Sequence, residues 1–234
     1  IEAQSLWYGW LRPKPAAQAY FTPFLFDNRE LLPCTNPDGR GEDGLASAAT
    51  RYCREDSLVM HLPSVVGHAQ ESARKRSEIT MAAHMPRFNH FLRDHVSGQV
   101  GSARAQDPGR RLHLLAETTA DLAASSDSAL ENSLQEYLGF IRADIVERLQ
   151  NQFELLSDAP VYWQADVRSI VRNNGNALLK HAAPRLADWP EQFDAKQCVD
   201  ATRAELLDIA QAWRDWPVLW NAAREQGDRL VSGL

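Results

Sequence analysis

Residues 128–157, SALENSLQEYLGFIRADIVERLQNQFELLS, decide the fold class. Leu130, Leu134, Tyr137, Leu138, Ile141, Ile145, Leu149, Phe153 and Leu156 recur at steps of three and four, so they share one face of a 3.6-residue period. The spacing predicts a long helix with that face buried. Ser128 and Glu131 have the spacing of a capping box at its start. Pro160 predicts an end near Ala159, because the residue before a proline is pushed out of the α region. A strict heptad would place Arg148 and Gln152 in the seam that Leu149 and Phe153 occupy, so this is a globular helix and not a long coiled coil.

Working outward, Val199, Thr202, Leu206, Ile209, Ala210 and Trp213 form a second strong stripe, and the two stripes are expected to shelter each other. Shorter helices are predicted at 45–54, at 86–96 through Phe88, Phe91, Leu92 and Val96, and along Leu112, Leu115, Thr119 and Leu122. Another runs through Trp163, Val167, Ile170 and Val171, with a stop expected at Asn173, Asn174 and Gly175, residues that tolerate a left-handed turn. Asp188-Trp189-Pro190 recurs as Asp215-Trp216-Pro217, which reads as one helix start used twice, Asp capping and Pro in the first turn. Ser57 to Leu62 is the one run with the character of a buried strand, and Pro63 ends it.

The first 40 residues are aromatic and carry Pro13, Pro15 and Pro23, which argues against one long helix there. The expected fold is therefore all-α: an antiparallel helical bundle with an irregular, aromatic and proline-rich N-terminal segment. Residues 1–100 form the irregular region with short helices and 101–234 the bundle, with the Gly, Ser and Ala-rich stretch 98–109 as the linker.

Composition excludes several function classes. No apolar run approaches the roughly 20 residues that a membrane helix needs, so no membrane span is expected. Cys34, Cys53 and Cys198 are odd in number and far apart, which fits neither a disulfide framework nor a paired zinc site and points to a reducing compartment. Lysine occurs only at 14, 75, 180 and 196, the remaining cations being arginine, a bias we associate with a GC-rich bacterial coding sequence. The start at Ile1 without methionine points to a fragment or a processed product. The net charge of −6 is unevenly spread, +2 over 1–111 and −8 over 112–234. The basic part, 70–111, holds eight cationic and four anionic residues, an excess far below that of a nucleic-acid module.

The motifs that carry chemistry are mostly absent. The loop NPDGRGEDG, 36–44, has carboxylates, but Arg40 intrudes and the twelfth position from Asp38 is Ala49 where a calcium loop needs glutamate. GHAQESARK, 67–75, lacks the second glycine and the lysine of a phosphate-binding loop. His90 and His95 are five apart, not the four that would place both on one metal, and no metal or cofactor is expected. A nucleophile at Cys53, beside Arg51 and Arg54, would need His61 or His90 brought to it as a base.

The leading expectation is a non-enzymatic protein-interaction module, part of a larger bacterial protein such as an effector or an assembly component. It would work in the cytoplasm, or in that of another cell into which it is delivered. Its binding candidates are Trp7, Trp10, Arg74, Arg76, Arg87, Arg93, Trp216 and Trp220. The alternatives are a helical hydrolase or transferase using Cys53, His61 and His90, and phosphate or nucleic-acid binding through 70–111.

Overall fold

The computed structural model describes residues 12–16, 29–61, 82–101, 107–155, 160–180 and 182–232. Most of the aromatic N-terminal segment and the 67–75 stretch lie outside them. The fold is all-α, as the stripes predict: among the described residues there are six helices and one two-stranded sheet. The helices are α1 (Glu42–Cys53), α2 (Phe88–Gln99), α3 (Pro108–Ala124), α4 (Asp127–Leu155), α5 (Val161–Leu178) and α6 (Ala195–Ser232). Strands β1 (Lys14–Ala16) and β2 (Val59–His61) pair antiparallel, Pro15 opposite Met60. The expected strand is present, but Met60 is exposed rather than buried.

The chain divides into two compact units. Over the described residues, one comprises 82–86 and 127–199, the other 12–61, 87–126 and 200–232. In the first, α4 packs along α5. Within this unit the helix packed along the 128–157 stripe is the next one in the chain. Leu130, Leu134 and Leu138 are buried, each worth about 1.5–3 kcal/mol. Further along, the face is only half-buried, and Phe140 is 70% exposed.

Asn174 shows why α5 runs past its predicted stop. It is fully buried. Its Nδ2 donates to the Ile170 carbonyl one turn back (2.9 Å), while its Oδ1 accepts from the His84 backbone N–H (2.8 Å). Positive φ among the described glycines occurs at 39, 41 and 101, not at Gly175, so no left-handed stop forms. The His84 carbonyl accepts from Arg142 Nε (3.3 Å), and the Pro86 carbonyl accepts from the Ala187 N–H (2.9 Å). An extended segment is thus pinned by three separate elements.

The repeated Asp-Trp-Pro does not start helices. Its first copy lies in turns ahead of α6, which opens instead on a capping box: Asp194 Oδ1 accepts from the Gln197 N–H (2.8 Å), and Gln197 Oε1 accepts from the Asp194 N–H (2.9 Å). Its second copy lies inside α6, where Pro217 has no N–H to offer the carbonyl four residues back. Tertiary bonds compensate on the same turns. The Trp213 indole donates to the Cys34 carbonyl (3.1 Å), and that of Trp216 to the Leu32 carbonyl (2.5 Å).

In the second unit α1 packs chiefly on α2 and also on α3. Leu45, Ala49 and Tyr52 of α1, Phe91, Leu92 and Val96 of α2, Leu112 and Leu115 of α3, and Leu206 and Trp213 of α6 are buried there. Asn89 organises the loop ahead of α1. Its Oδ1 accepts from Asn36 Nδ2 (3.1 Å), and its Nδ2 donates to the Asp38 carbonyl (2.9 Å). Arg203 donates to the carbonyls of Ala123 (2.8 Å) and Ser125 (3.1 Å), a cationic cap on the C-terminus of α3.

Gly41, the N-cap of α1, has φ +93°, and a Cβ there would stand 2.7 Å from the His90 ring. Gly41→Ala is expected to destabilise by about 1–3 kcal/mol, from the left-handed φ plus the clash. In a double-mutant cycle, His90→Ala should recover the steric part. Equal losses in both backgrounds would show that His90 does not press on this turn.

Glu55 accepts from the guanidinium of Arg111 and from the Gly101 N–H (2.9 Å). Arg111 is buried and lies 5.5 Å over the Tyr52 ring. Glu117 accepts from Arg214 Nε (2.8 Å). In each case the arginine hydrogen bond is the largest cause holding the carboxyl below its ordinary value of 4.5. A carboxyl whose pKa is lower folded than unfolded contributes stability that is complete above the unfolded value and is lost as pH falls through the folded one. The thermal midpoint should therefore fall on acidification below about pH 4.5, and the double variant Glu55→Gln, Glu117→Gln should fall less steeply. An unchanged acid slope would remove these two pairs from the acid response.

Candidate functional site

Of the candidate nucleophile and its bases, Cys53 ends α1 with its side chain buried. Burial pushes its thiol up to about 12, opposed by the charge of Arg111 and reinforced by Cys34, itself pushed up to about 11 by burial. Both therefore remain thiols at neutral pH, while the thiolate is the reactive form. His61 lies in β2 opposite Lys14, and His90 sits in the first turn of α2, where its Nδ1 accepts from the Arg87 N–H at 3.4 Å. The Nε2 of His95 is buried without a hydrogen-bond partner, and burial pushes that ring toward its neutral form. Among the described residues no group of three His, Cys, Asp or Glu is gathered as a metal site would need.

Of the binding candidates, Arg87 is the N-cap of α2, and Arg93 is paired with its neighbour Asp94 (2.7 Å). Trp7, Trp10, Arg74 and Arg76 lie outside the described residues. Trp216 and Trp220 come together, their ring centroids 6.3 Å apart and tilted by 50°. Trp220 lines a concavity.

That concavity is a groove of about 740 Å³ in the second unit, walled by residues 29–31, the first two turns of α3 and residues 217–224 of α6. Local sequence builds each wall. Asp107 Oδ1 caps α3 by accepting from the Arg110 N–H (2.8 Å), with Pro108 at the first helical position. A Cβ at Gly109 would crowd the capping carboxylate, 3.3 Å from Asp107 Oδ1, and would meet Leu31 at an ordinary contact distance of 3.8 Å. On α6, Pro217, Trp220, Asn221 and Arg224 follow the i, i+3, i+4, i+7 spacing of one helix face. Arg224 donates to the Arg29 carbonyl (2.6 Å), joining two walls.

The floor is apolar, formed by Leu31, Leu114, Pro217 and Trp220, and the rim carries Arg29, Arg110 and Arg224, all exposed. The two rim carboxylates are engaged, Glu30 with Arg54 (3.4 Å) and Asp107 as the helix cap. Sequence reading names Trp220 here and places Arg110 in the basic stretch, but misses Arg29, Leu114 and Arg224. The i, i+3, i+4, i+7 face of α6 is the local signal that could have found Arg224. Another concavity, about 530 Å³, lies between α4 and α5 in the first unit, where Arg168 stands 5.1 Å over the Phe153 ring.

Comparison with family models, curated proteins and solved structures finds no match for this chain.

Proposed function

We propose that the protein is a non-enzymatic helical interaction module that docks a partner protein in the groove between α3, residues 29–31 and the last third of α6. The observation that carries this reading is the groove itself, an apolar floor containing a half-buried tryptophan inside a rim of three exposed arginines. Aromatic and arginine side chains around a desolvated centre are the usual carriers of binding energy at protein interfaces. The groups that would support catalysis do not favour it, since the Cys53 thiol is buried and held protonated. Three free cysteines are consistent with a reducing compartment, the cytoplasm or that of a recipient cell, and the module acts within a larger bacterial protein such as an effector or an assembly component. No helix among the described residues is long and apolar enough to cross a membrane.

A photo-crosslinking side chain at Leu114, 41% exposed on the groove floor, tests this in cells that make the protein. A discrete protein adduct is expected there, none from the same group at Leu179, which is 84% exposed in the first unit, and a loss of the adduct when Arg110→Glu is added. Equal adducts from both positions, or none from Leu114, would contradict groove docking.

A further inference from the structure

Arg168 and Arg172 stand about one turn apart on α5, both exposed, and both line the concavity between α4 and α5. Residues four apart on a helix are neighbours, and like charges so placed repel. The sequence supplies no acid beside them: the positions three and four away from either arginine hold, besides each other, Gln164, Ala165, Ser169, Val171, Gly175 and Asn176. Asp166 is two residues from Arg168 and so about 200° around the helix from it. Arg168 donates to the neutral amide oxygen of Gln164 (3.4 Å), which leaves its charge in place. Among the described residues no carboxylate pairs with either arginine, whereas Arg148 of α4 is matched by Asp144 at 2.6 Å. Across the concavity, Gln150 and Asn151 of α4 bring carboxamide N–H donors. Phe153, Val167 and Val171 form its apolar wall, with the Arg168 guanidinium 5.1 Å over the Phe153 ring. No Asp or Glu is among the described lining residues, and Glu147, about one turn before Asn151, is exposed and outside the lining.

We infer that this concavity binds a phosphate monoester, the phosphate between Arg168 and Arg172 and the organic group against Phe153 and Val171. The site lies in the other unit from the groove, so the inference is independent of the docking reading. Charge and geometry together select the ligand. A carboxylate carries one charge and is satisfied by a single two-pronged arginine, which would leave the second arginine unmatched. A phosphate monoester carries about −1.5 to −2 at neutral pH and three acceptor oxygens, enough for both guanidiniums and an amide of Gln150 or Asn151. The volume, about 530 Å³, falls in the range of roughly 300–1,000 Å³ usual for small-molecule sites and exceeds what a bare phosphate fills. The rest of the wall is apolar and aromatic, so the ester group gains from covering it. Two arginines are few beside the roughly 6–10 phosphate contacts of a nucleic-acid site. A free ester and a phosphorylated side chain present the same chemistry here.

The test is calorimetric titration of the full chain at neutral pH and low salt with phenyl phosphate, beside inorganic phosphate, benzoate and a short peptide carrying phosphotyrosine. Phenyl phosphate should bind about tenfold or more tightly than benzoate, which lacks the second charge, and than inorganic phosphate, which lacks the ring. Arg168→Gln and Arg172→Gln should each weaken it by about tenfold. Arg148→Gln makes the same change of charge outside the concavity and should alter binding by less than about twofold. A thermal midpoint near that of the parent protein will show that each variant is folded. Tighter binding of the phosphotyrosine peptide than of phenyl phosphate would support the site with a protein-borne ester as its source, and weaker binding would support it with a free one. Three results would each overturn the assignment: no binding of phenyl phosphate, benzoate or inorganic phosphate binding as tightly as phenyl phosphate, or Arg148→Gln weakening binding as much as the two α5 variants.

Discussion

Trp213→Ala is expected to lower stability by about 3–5 kcal/mol, the largest effect of any single substitution considered for the second unit. Trp213 is fully buried on α6, and its indole N–H donates to the Cys34 carbonyl at 3.1 Å. Truncation removes the apolar contacts of a large ring, leaves a cavity and orphans that carbonyl. Trp213→Phe separates these losses, because it keeps most of the ring and removes the donor, and should cost about 1–3 kcal/mol. Urea unfolding of both variants gives the comparison. A cost below about 1 kcal/mol for the alanine would mean that the 32–34 segment is not held to α6 as described. The result bears on function, because residues 29–31, just ahead of this anchor, form one wall of the groove.

Asn174→Leu is expected to cost about 2–4 kcal/mol in the first unit. Leucine is close to asparagine in size, so the loss comes from unpaired polar groups rather than from a cavity. The His84 N–H loses its acceptor inside the structure, while the Ile170 carbonyl keeps its helical role. Hydrogen exchange resolves the effect locally: the amide of His84 should exchange much faster in the variant, and those of α4 around Leu134 much less so. Unchanged protection at His84 would show that Asn174 does not pin the segment.

Asn174 and Pro217 mark where local reading of the sequence stopped working, and for the same reason. Asparagine before glycine, and proline after aspartate and tryptophan, carry strong local preferences for ending and starting helices. Both were overridden by bonds to residues far away in the chain, His84 in one case and Leu32 and Cys34 near the other. Where the signal was periodic burial it was legible: Leu130, Leu134 and Leu138 are buried in a helix, as are Leu206, Ile209 and Trp213, whereas Asp107 and Pro108, read as part of a linker, open α3. Periodicity shows that a face is covered but not by what.

The groove was less legible still. Its walls come from residues 29–31, 107–114 and 217–224, so no window of sequence contains it. Trp220 was visible as a large aromatic on a helix, and Arg110 as one cation in a basic run. That Glu30 and Asp107 are engaged elsewhere depends on Arg54 and on the cap of α3, and only coordinates show it.

Hydrogen exchange of the protein with and without the partner captured at Leu114 tests the docking claim most directly. The account predicts new protection at 107–114 and 217–224, with little change at Phe140, Tyr162 and Leu179 of the first unit. Protection concentrated on those first-unit positions, with the groove exchanging as in the free protein, would contradict it.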